Sequence, residues 1–226
     1  MTELIIAIDG PSGAGKSTLS KLLAQSLDYI HLDTGAMYRC VALAAMTQGI
    51  DPGDQESLGI LAQQLRIEFV HTPAGDLVLL DGKDVSTAIR TPEVSLLTSK
   101  VSAAPQVRAA MVALQRRLGA SGGVVLEGRD IGTVVFPQAQ VKFFLSATAA
   151  ERGQRRYEEL IAKGAKVSLQ QTISEVVARD IADTEREHAP LFQANDAVII
   201  DSTNLSINEV LVTMINVVQS RRKELL

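Results

Sequence analysis

Short runs of aliphatic residues alternate with longer stretches in which apolar positions recur every three or four residues. Leu4–Asp9 is a β-rich apolar run, the pattern of a strand buried on both faces. A glycine-rich turn follows, and Ser17–Leu27 then places Leu19, Leu22, Leu23 and Leu27 at helical spacing. Tyr29–Asp33 reads as a second strand and Gly35–Gln48 as a helix stopped by Gly49. The middle of the chain is different. Asp51–Gln64 begins polar and becomes helical; Arg66–His71 and Leu77–Leu80 alternate, with Gly75-Asp76 as a turn between them and Gly82-Lys83 as another before Val85. That is the signature of a small antiparallel patch with one wet face. Glu93–Ala103 and Gln106–Leu118 predict two helices hinged at Pro105. Continuous apolar runs return at Val124–Leu126 and Val141–Leu145, as expected of central parallel strands. Two charged helices, Ala149–Lys163 and Ser168–Glu187, a last strand at Ala197–Ile200 and a last helix at Ile207–Arg222 complete the pattern.

The whole is α/β, with the antiparallel patch interrupting the rhythm over about residues 64–90. A length of 226 residues suits one sizeable domain with a small inserted lobe. Hydrophobic residues are 46% and aromatics only 4%, so the core is aliphatic. A formal charge of −4 and a pI near 5.4 argue against general nucleic-acid binding, which rests on phosphate neutralisation. Any anion-binding arginines must therefore be gathered locally. Cys40 is the single cysteine, which excludes an intramolecular disulfide and a multi-cysteine zinc site. Residues 3–8 are too short an apolar run for a leader, and no stretch approaches the roughly 18 apolar residues of a membrane span. The expectation is a cytoplasmic protein with no membrane or nucleic-acid partner.

Candidate chemistry begins in the first turn. Gly10, Pro11, Ser12, Gly13, Ala14, Gly15, Lys16 and Ser17, with Thr18 after them, match the full phosphate-cradle pattern Gly-x4-Gly-Lys-Ser. Glycines let backbone N–H groups wrap a phosphate, and the following helix aims its positive end at the same anion. Lys16 would bridge the β- and γ-phosphates of a triphosphate, and Ser17 would bind Mg2+ through its hydroxyl. The strand before and helix after are the context such a loop requires. The cradle alone does not distinguish a GTPase, a motor or transporter ATPase, and a small-molecule kinase. No guanine-reading Asn-Lys-x-Asp is present. A kinase needs an acceptor pocket and arginines around the transferring group, and arginines stand at suggestive places. Arg39 falls one turn into the helix after Asp33. Glu127-Gly128-Arg129-Asp130 follows a buried strand, where open α/β sheets bind ligands, and Glu127 stands where an acidic residue holds metal through water. Arg152, Arg155 and Arg156, with Lys163 and Lys166, read either as a solvated face or as a lid. Arg179, Asp183 and Arg186 form one helical stripe, either salt-bridged or clamping a charged, hydroxylated substrate.

The pattern resembles bacterial cytidylate kinase over essentially the whole chain. It rests on Ile8–Thr18, on Leu32-Asp-Thr-Gly-Ala-Met-Tyr-Arg39, on Val85-Ser-x-x-Ile-Arg90, on Glu127-Gly-Arg-Asp-Ile-Gly-Thr-Val-Val-Phe-Pro137, and on the late Arg179-Asp180, Asp183, Arg186 and Asp201-Ser-Thr203. The resemblance implies a three-layer P-loop nucleoside monophosphate kinase fold in one domain, residues 1–226. Its core would be 1–63, 91–150 and 168–226, with a five-stranded parallel sheet, a nucleotide-binding insert at about 64–90 and a helical lid at about 151–167. It implies ATP as phosphoryl donor, Mg2+, and CMP or dCMP as acceptor. By similarity Ser99, Arg108 and Arg186 read the cytosine. Arg179 and Asp183 hold the sugar hydroxyls, and Arg39 and Arg129 the acceptor phosphate, with Thr34 and Tyr38 lining the same site. Asp130 positions the base or its neighbouring arginine. Asp33 orients Arg129 or metal-bound water, and Lys16, Arg129, Asp33, Arg152 and Arg156 form the catalytic set. A kinase for UMP or shikimate, and an ATP-sensing regulatory protein, are the rivals. Nothing marks an oligomer interface, and a monomer is expected.

Overall fold

Strand β1 (Ile5–Asp9) lies at the centre of a five-stranded sheet in the computed structural model, which describes residues 3–72, 75–162, 164–186 and 189–225. The order is β2 (Ile30–Asp33), β6 (Val124–Gly128), β1, β7 (Val141–Ser146), β8 (Val198–Asp201). β1 runs parallel to β6 on one side and to β7 on the other, and β7 parallel to β8. The three central strands are buried almost end to end, the reason they read as unbroken apolar runs.

The chain divides into two compact units, residues 1–31 with 121–226, and residues 32–120. In the first, helix α1 (Lys16–Leu27) packs Leu19, Leu23 and Ala24 into one cluster with Ile6, Ile8, Val125, Val141, Phe143 and Leu145 of the strands. Helix α8 (Ile207–Glu224) joins that cluster through Val210, Met214 and Val218, four residues apart. Its start is set by a reciprocal capping box between Ser206 and Glu209. Helices α6 (Ala149–Ala162) and α7 (Leu169–Glu185) pack together where Gly153 leaves room for Ile173.

The second unit holds α2 (Thr34–Gln48), α3 (Gln55–Gln64), α4 (Pro92–Val101) and α5 (Pro105–Leu118). It also holds an antiparallel sheet of β3 (Ile67–Thr72), β4 (Gly75–Leu80) and β5 (Lys83–Asp84). Met37, Val41, Leu58, Ile67, Val78, Val94, Val107 and Met111 belong to its own core. No helix among the described residues is long and apolar enough to cross a membrane.

Several boundaries differ from the sequence pattern for local reasons. Gly75 and Asp76 are not a turn; they sit in β4, opposite Thr72 and His71. The segment from Asp51 becomes helical at Gln55, because Asp51 receives the Gly53 amide in a turn and Asp54 accepts the Ser57 amide as the cap. The two helices expected around Pro105 are α4 and α5, and Pro105 itself is the first residue of α5, since proline lacks only a donor that a first turn does not use. The stripe of Arg179, Asp183 and Arg186 is broken at its end: α7 stops at Glu185, and Arg186 is extended with ψ 138. A short π-helical turn, Ile131–Val135, follows β6. Lys163 and Glu187, expected helix ends, lie outside the described residues.

Candidate active site

Asp9, Gly128 and Ser146 end β1, β6 and β7 at their carboxyl edges, with Glu127 one residue before the end of β6, and the loops leaving those ends carry the polar groups. The loop from β1 is built on glycine. Gly10 has φ 147, and a β-carbon there would sit 2.1 Å from the Leu145 carbonyl oxygen. Gly13 and Gly15 have φ 79 and 89, the left-handed region that other residues enter at a cost. Ala14 is buried, and Thr18 is exposed on the first turn of α1. The buried Lys16 folds back, its Nζ donating to the Pro11 carbonyl at 2.6 Å. Burial first, and then the charges of Arg129 and Arg179, hold its pKa well below the ordinary lysine range.

Under α1 lies a four-member polar chain. Ser17 Oγ donates to Glu127 Oε2 at 2.7 Å, and Glu127 Oε1 lies 3.2 Å from His31 Nε2. The same ring nitrogen is 3.1 Å from Ser20 Oγ, which itself donates to the Lys16 carbonyl at 2.6 Å. Because the Ser20 hydroxyl hydrogen is used there, the His31 ring nitrogen supplies the proton between them. Burial pushes the Glu127 carboxyl up, but His31, Lys16 and the Ser17 hydroxyl together hold it below the usual range. Asp9, also buried, receives the amides of Ile131 and Gly132 at 2.8 and 2.7 Å. Burial outweighs those bonds and, with the charge of Asp130, carries its pKa up to about 6.

Arg129 and Asp183 form a tight pair, Nε to Oδ2 at 2.6 Å, each side chain 18% exposed. Burial raises the Asp183 carboxyl, and the charge and hydrogen bond of Arg129, with Arg179 and Arg186, more than reverse it. Arg186 lies 3.9 Å from the buried Asp130 and also donates to the Ala189 carbonyl. Arg179 projects from the exposed side of α7. The three arginines expected to form a lid differ from one another. Arg152 is buried: it grips Asp180 with both terminal nitrogens, at 2.5 and 3.0 Å, and donates to the Ser12 carbonyl at 3.0 Å. Arg155 holds the Ser202 carbonyl at 2.7 Å and Glu151 at 3.0 Å. Arg156 is exposed and pairs with Glu159 at 2.8 Å.

In the second unit, Asp33 caps α2 by accepting the Ala36 amide at 2.9 Å and lies 3.6 Å from Arg90. Thr34 is buried in the first turn of α2, with Arg39 half-buried one turn on. The guanidinium of the buried Arg108 stands over the Tyr38 ring, 5.9 Å from its centre. Ser99 is exposed on α4, its hydroxyl at the surface. Sequence reasoning missed Asp9, His31 and Arg90 as site residues, and Asp180 as the partner of Arg152. Each acts through a partner distant in sequence, and a lone His or Asp in a strand carries no local signal.

The family model for cytidylate kinase matches residues 6–220. The chain is 62% identical to a cytidylate kinase of Syntrophotalea carbinolica, covering 98% of this chain and 94% of that protein. It is 59% identical to that of Geobacter sulfurreducens, covering 97% and 94%. Among solved structures, a shikimate kinase from Bacteroides thetaiotaomicron shares the fold at a TM-score of 0.51 and 13% identity, over 96% of this chain and 98% of that one. A phosphate cradle on β1, an acid on β6 and a family match spanning nearly every described element lead to one conclusion: this chain belongs to the cytidylate kinase family.

Proposed function

We propose that the chain transfers the γ-phosphoryl group of ATP to CMP or dCMP, giving ADP and CDP or dCDP. The carrying observation is the complete cradle at Gly10–Ser17, opening onto α1, in a chain of this family. The acceptor phosphate oxygen is already anionic, so the chemistry needs alignment and charge neutralisation rather than a strong base. Lys16 leaves the Pro11 carbonyl for the β- and γ-phosphates, the stronger partner for a buried ammonium. Its suppressed pKa rises again beside that charge.

Ser17 and Glu127 offer a hydroxyl and a carboxylate, hard oxygen donors 2.7 Å apart at the N-terminus of α1, which is a donor set that fits Mg2+. Ser17 would bind it directly and Glu127 through water; Mg2+ supplies charge neutralisation on the phosphates. His31 and Ser20 keep the Glu127 carboxylate turned towards Ser17.

Arg129 and Arg39 take the acceptor phosphate, Arg179 and Asp183 its sugar hydroxyls, and Ser99, Arg108, Arg186 and Asp130 the base. Tyr38 backs Arg108, and Thr34 and Asp33 shape the start of α2. Cytosine offers an amino donor and two acceptors, which this mix of hydroxyl, guanidinium and carboxylate matches; uracil would leave its carbonyl against a carboxylate. Arg156, paired with Glu159 at the surface where such a pair carries little energetic weight, can swing to the transferring group. Arg152 adds its charge from a fixed position against the cradle. A monomer acting among cytoplasmic nucleotides is the expected working form. A coupled assay across CMP, dCMP, UMP and AMP tests the reading. CMP and dCMP should give the highest kcat/KM; preference for AMP, or ATP binding with no diphosphate from any acceptor, overturns it.

A further inference from the structure

One buried charge has no part in the chemistry just described. Asp9 ends β1, directly before Gly10, and only 4% of it is exposed. Both its carboxylate oxygens are used: Oδ1 receives the Ile131 amide at 2.8 Å and Oδ2 the Gly132 amide at 2.7 Å. These are the first two amides after Arg129-Asp130. The rest of that segment is tied to itself. The Asp130 carbonyl accepts the Val134 and Val135 amides at 2.9 and 3.2 Å, and the Ile131 carbonyl accepts Phe136 at 2.7 Å. The π-helical turn is thus a closed knot whose two leading amides are captured by one carboxylate. Gly132 also leaves room for Lys142: a β-carbon there would lie 3.1 Å from the Lys142 side chain, and in ordinary contact, 3.4 Å, with Asp9 Oδ2. Charge-assisted bonds to two amides of one turn fix its orientation as well as its distance. The charged groups that bear on Asp9 are Asp130 from the turn and Lys16 from α1.

We infer that Asp9 is a positioning residue for phosphoryl transfer: by capturing the Ile131 and Gly132 amides it fixes the turn that carries Arg129 and Asp130 relative to the cradle that begins at Gly10. It touches no reacting atom. Its carboxylate sets the backbone from which Arg129 reaches Asp183 and Asp130 faces Arg186. A misplacement of about 1 Å in such groups lowers rates by up to about a hundredfold. Asn in place of Asp9 keeps the shape but turns an NH2 towards one of the two amides, so the turn is held at one point rather than two.

The inference rests on Arg129 acting on the acceptor, so the test separates the two. KM and kcat for CMP and for ATP are measured for Asp9→Asn, Arg129→Ala and the double variant. Expected are a rise of about tenfold in KM for CMP with Asp9→Asn, a change of less than about threefold for ATP, and non-additivity with Arg129→Ala. Additive effects, or a defect confined to ATP, overturn the positioning role while leaving the acceptor assignment intact. An unchanged KM for CMP in Arg129→Ala overturns the assignment beneath it. Should Asp9→Asn not fold, Gly132→Ala decides alone. Its added carbon presses on the Lys142 side chain at 3.1 Å, so the turn shifts against the carboxylate without the carboxylate being removed, and the same CMP-selective rise is expected. A CMP KM equal to that of the unaltered protein refutes the inference.

Discussion

Lys16 and Glu127 show how single residues are prepared for their work. Both are buried, and both have pKa values set by the balance of burial against neighbouring charge. Lys16 waits on a backbone carbonyl, a neutral partner that an anion displaces readily. Replacing it by alanine should lower kcat by roughly a hundredfold to a thousandfold, the usual effect of removing one preorganised stabiliser of transition-state charge. Turnover within threefold of the unaltered protein, measured at saturating ATP and CMP, would contradict its role. Lys16 was legible because its neighbours in sequence are its neighbours in space. Glu127 was legible as an acid at a strand end. The partner that orients it, His31, lies 96 residues away, and no spacing rule links the two.

At the scale of elements, the strands were readable because central parallel strands are apolar on both faces. The helix starts were readable where a cap stands beside them, as at Ser206. The two charged helices were harder. The lid was expected at about 151–167, within α6, and α7 in the core; the two helices are packed on each other through Gly153, where a β-carbon would come within 2.4 Å of Ile173 Cγ1. Gly153→Ala should therefore destabilise the fold by roughly 1–3 kcal/mol despite alanine's better helix propensity. Thermal or urea denaturation reads this directly, and a stabilised variant would show that α6 and α7 are not in such contact. Arg152 belongs to the same lesson. In sequence it is one of three basic residues on a charged face. In the structure it is sunk between Asp180 and the cradle, 140 residues from Ser12, while Arg156 stays in solvent.

For the molecule as a whole, the buried carboxylates make opposing contributions to stability as pH changes. Asp183 and Glu127 have lowered pKa values, so their stabilisation is present above the unfolded values and is lost as pH falls through the folded ones. Asp9 has the opposite sign. Raised from 3.8 to about 6, it binds a proton more tightly when folded. Its contribution is full below 3.8 and is lost as pH rises through 6, a swing of about 3 kcal/mol. These groups together should place maximal stability between about pH 4 and 5, where the two limbs cross. Melting curves from pH 3 to 8 should show both, and Asp9→Asn should lose the decline that runs up to about pH 6. An unchanged decline in that variant would assign it to other groups.

The sequence by itself determined the α/β class, the cradle and the family. These rest on local periodicity and on contiguous motifs, whose residues are held close by the chain itself. Strand order, the capture of Ile131 and Gly132 by Asp9, the Glu127–His31 and Arg129–Asp183 contacts and the fixing of Arg152 were decided only by the tertiary structure. Each joins residues that meet because the sheet aligns the ends of strands far apart in the chain, and burial then gives their polar contacts their weight.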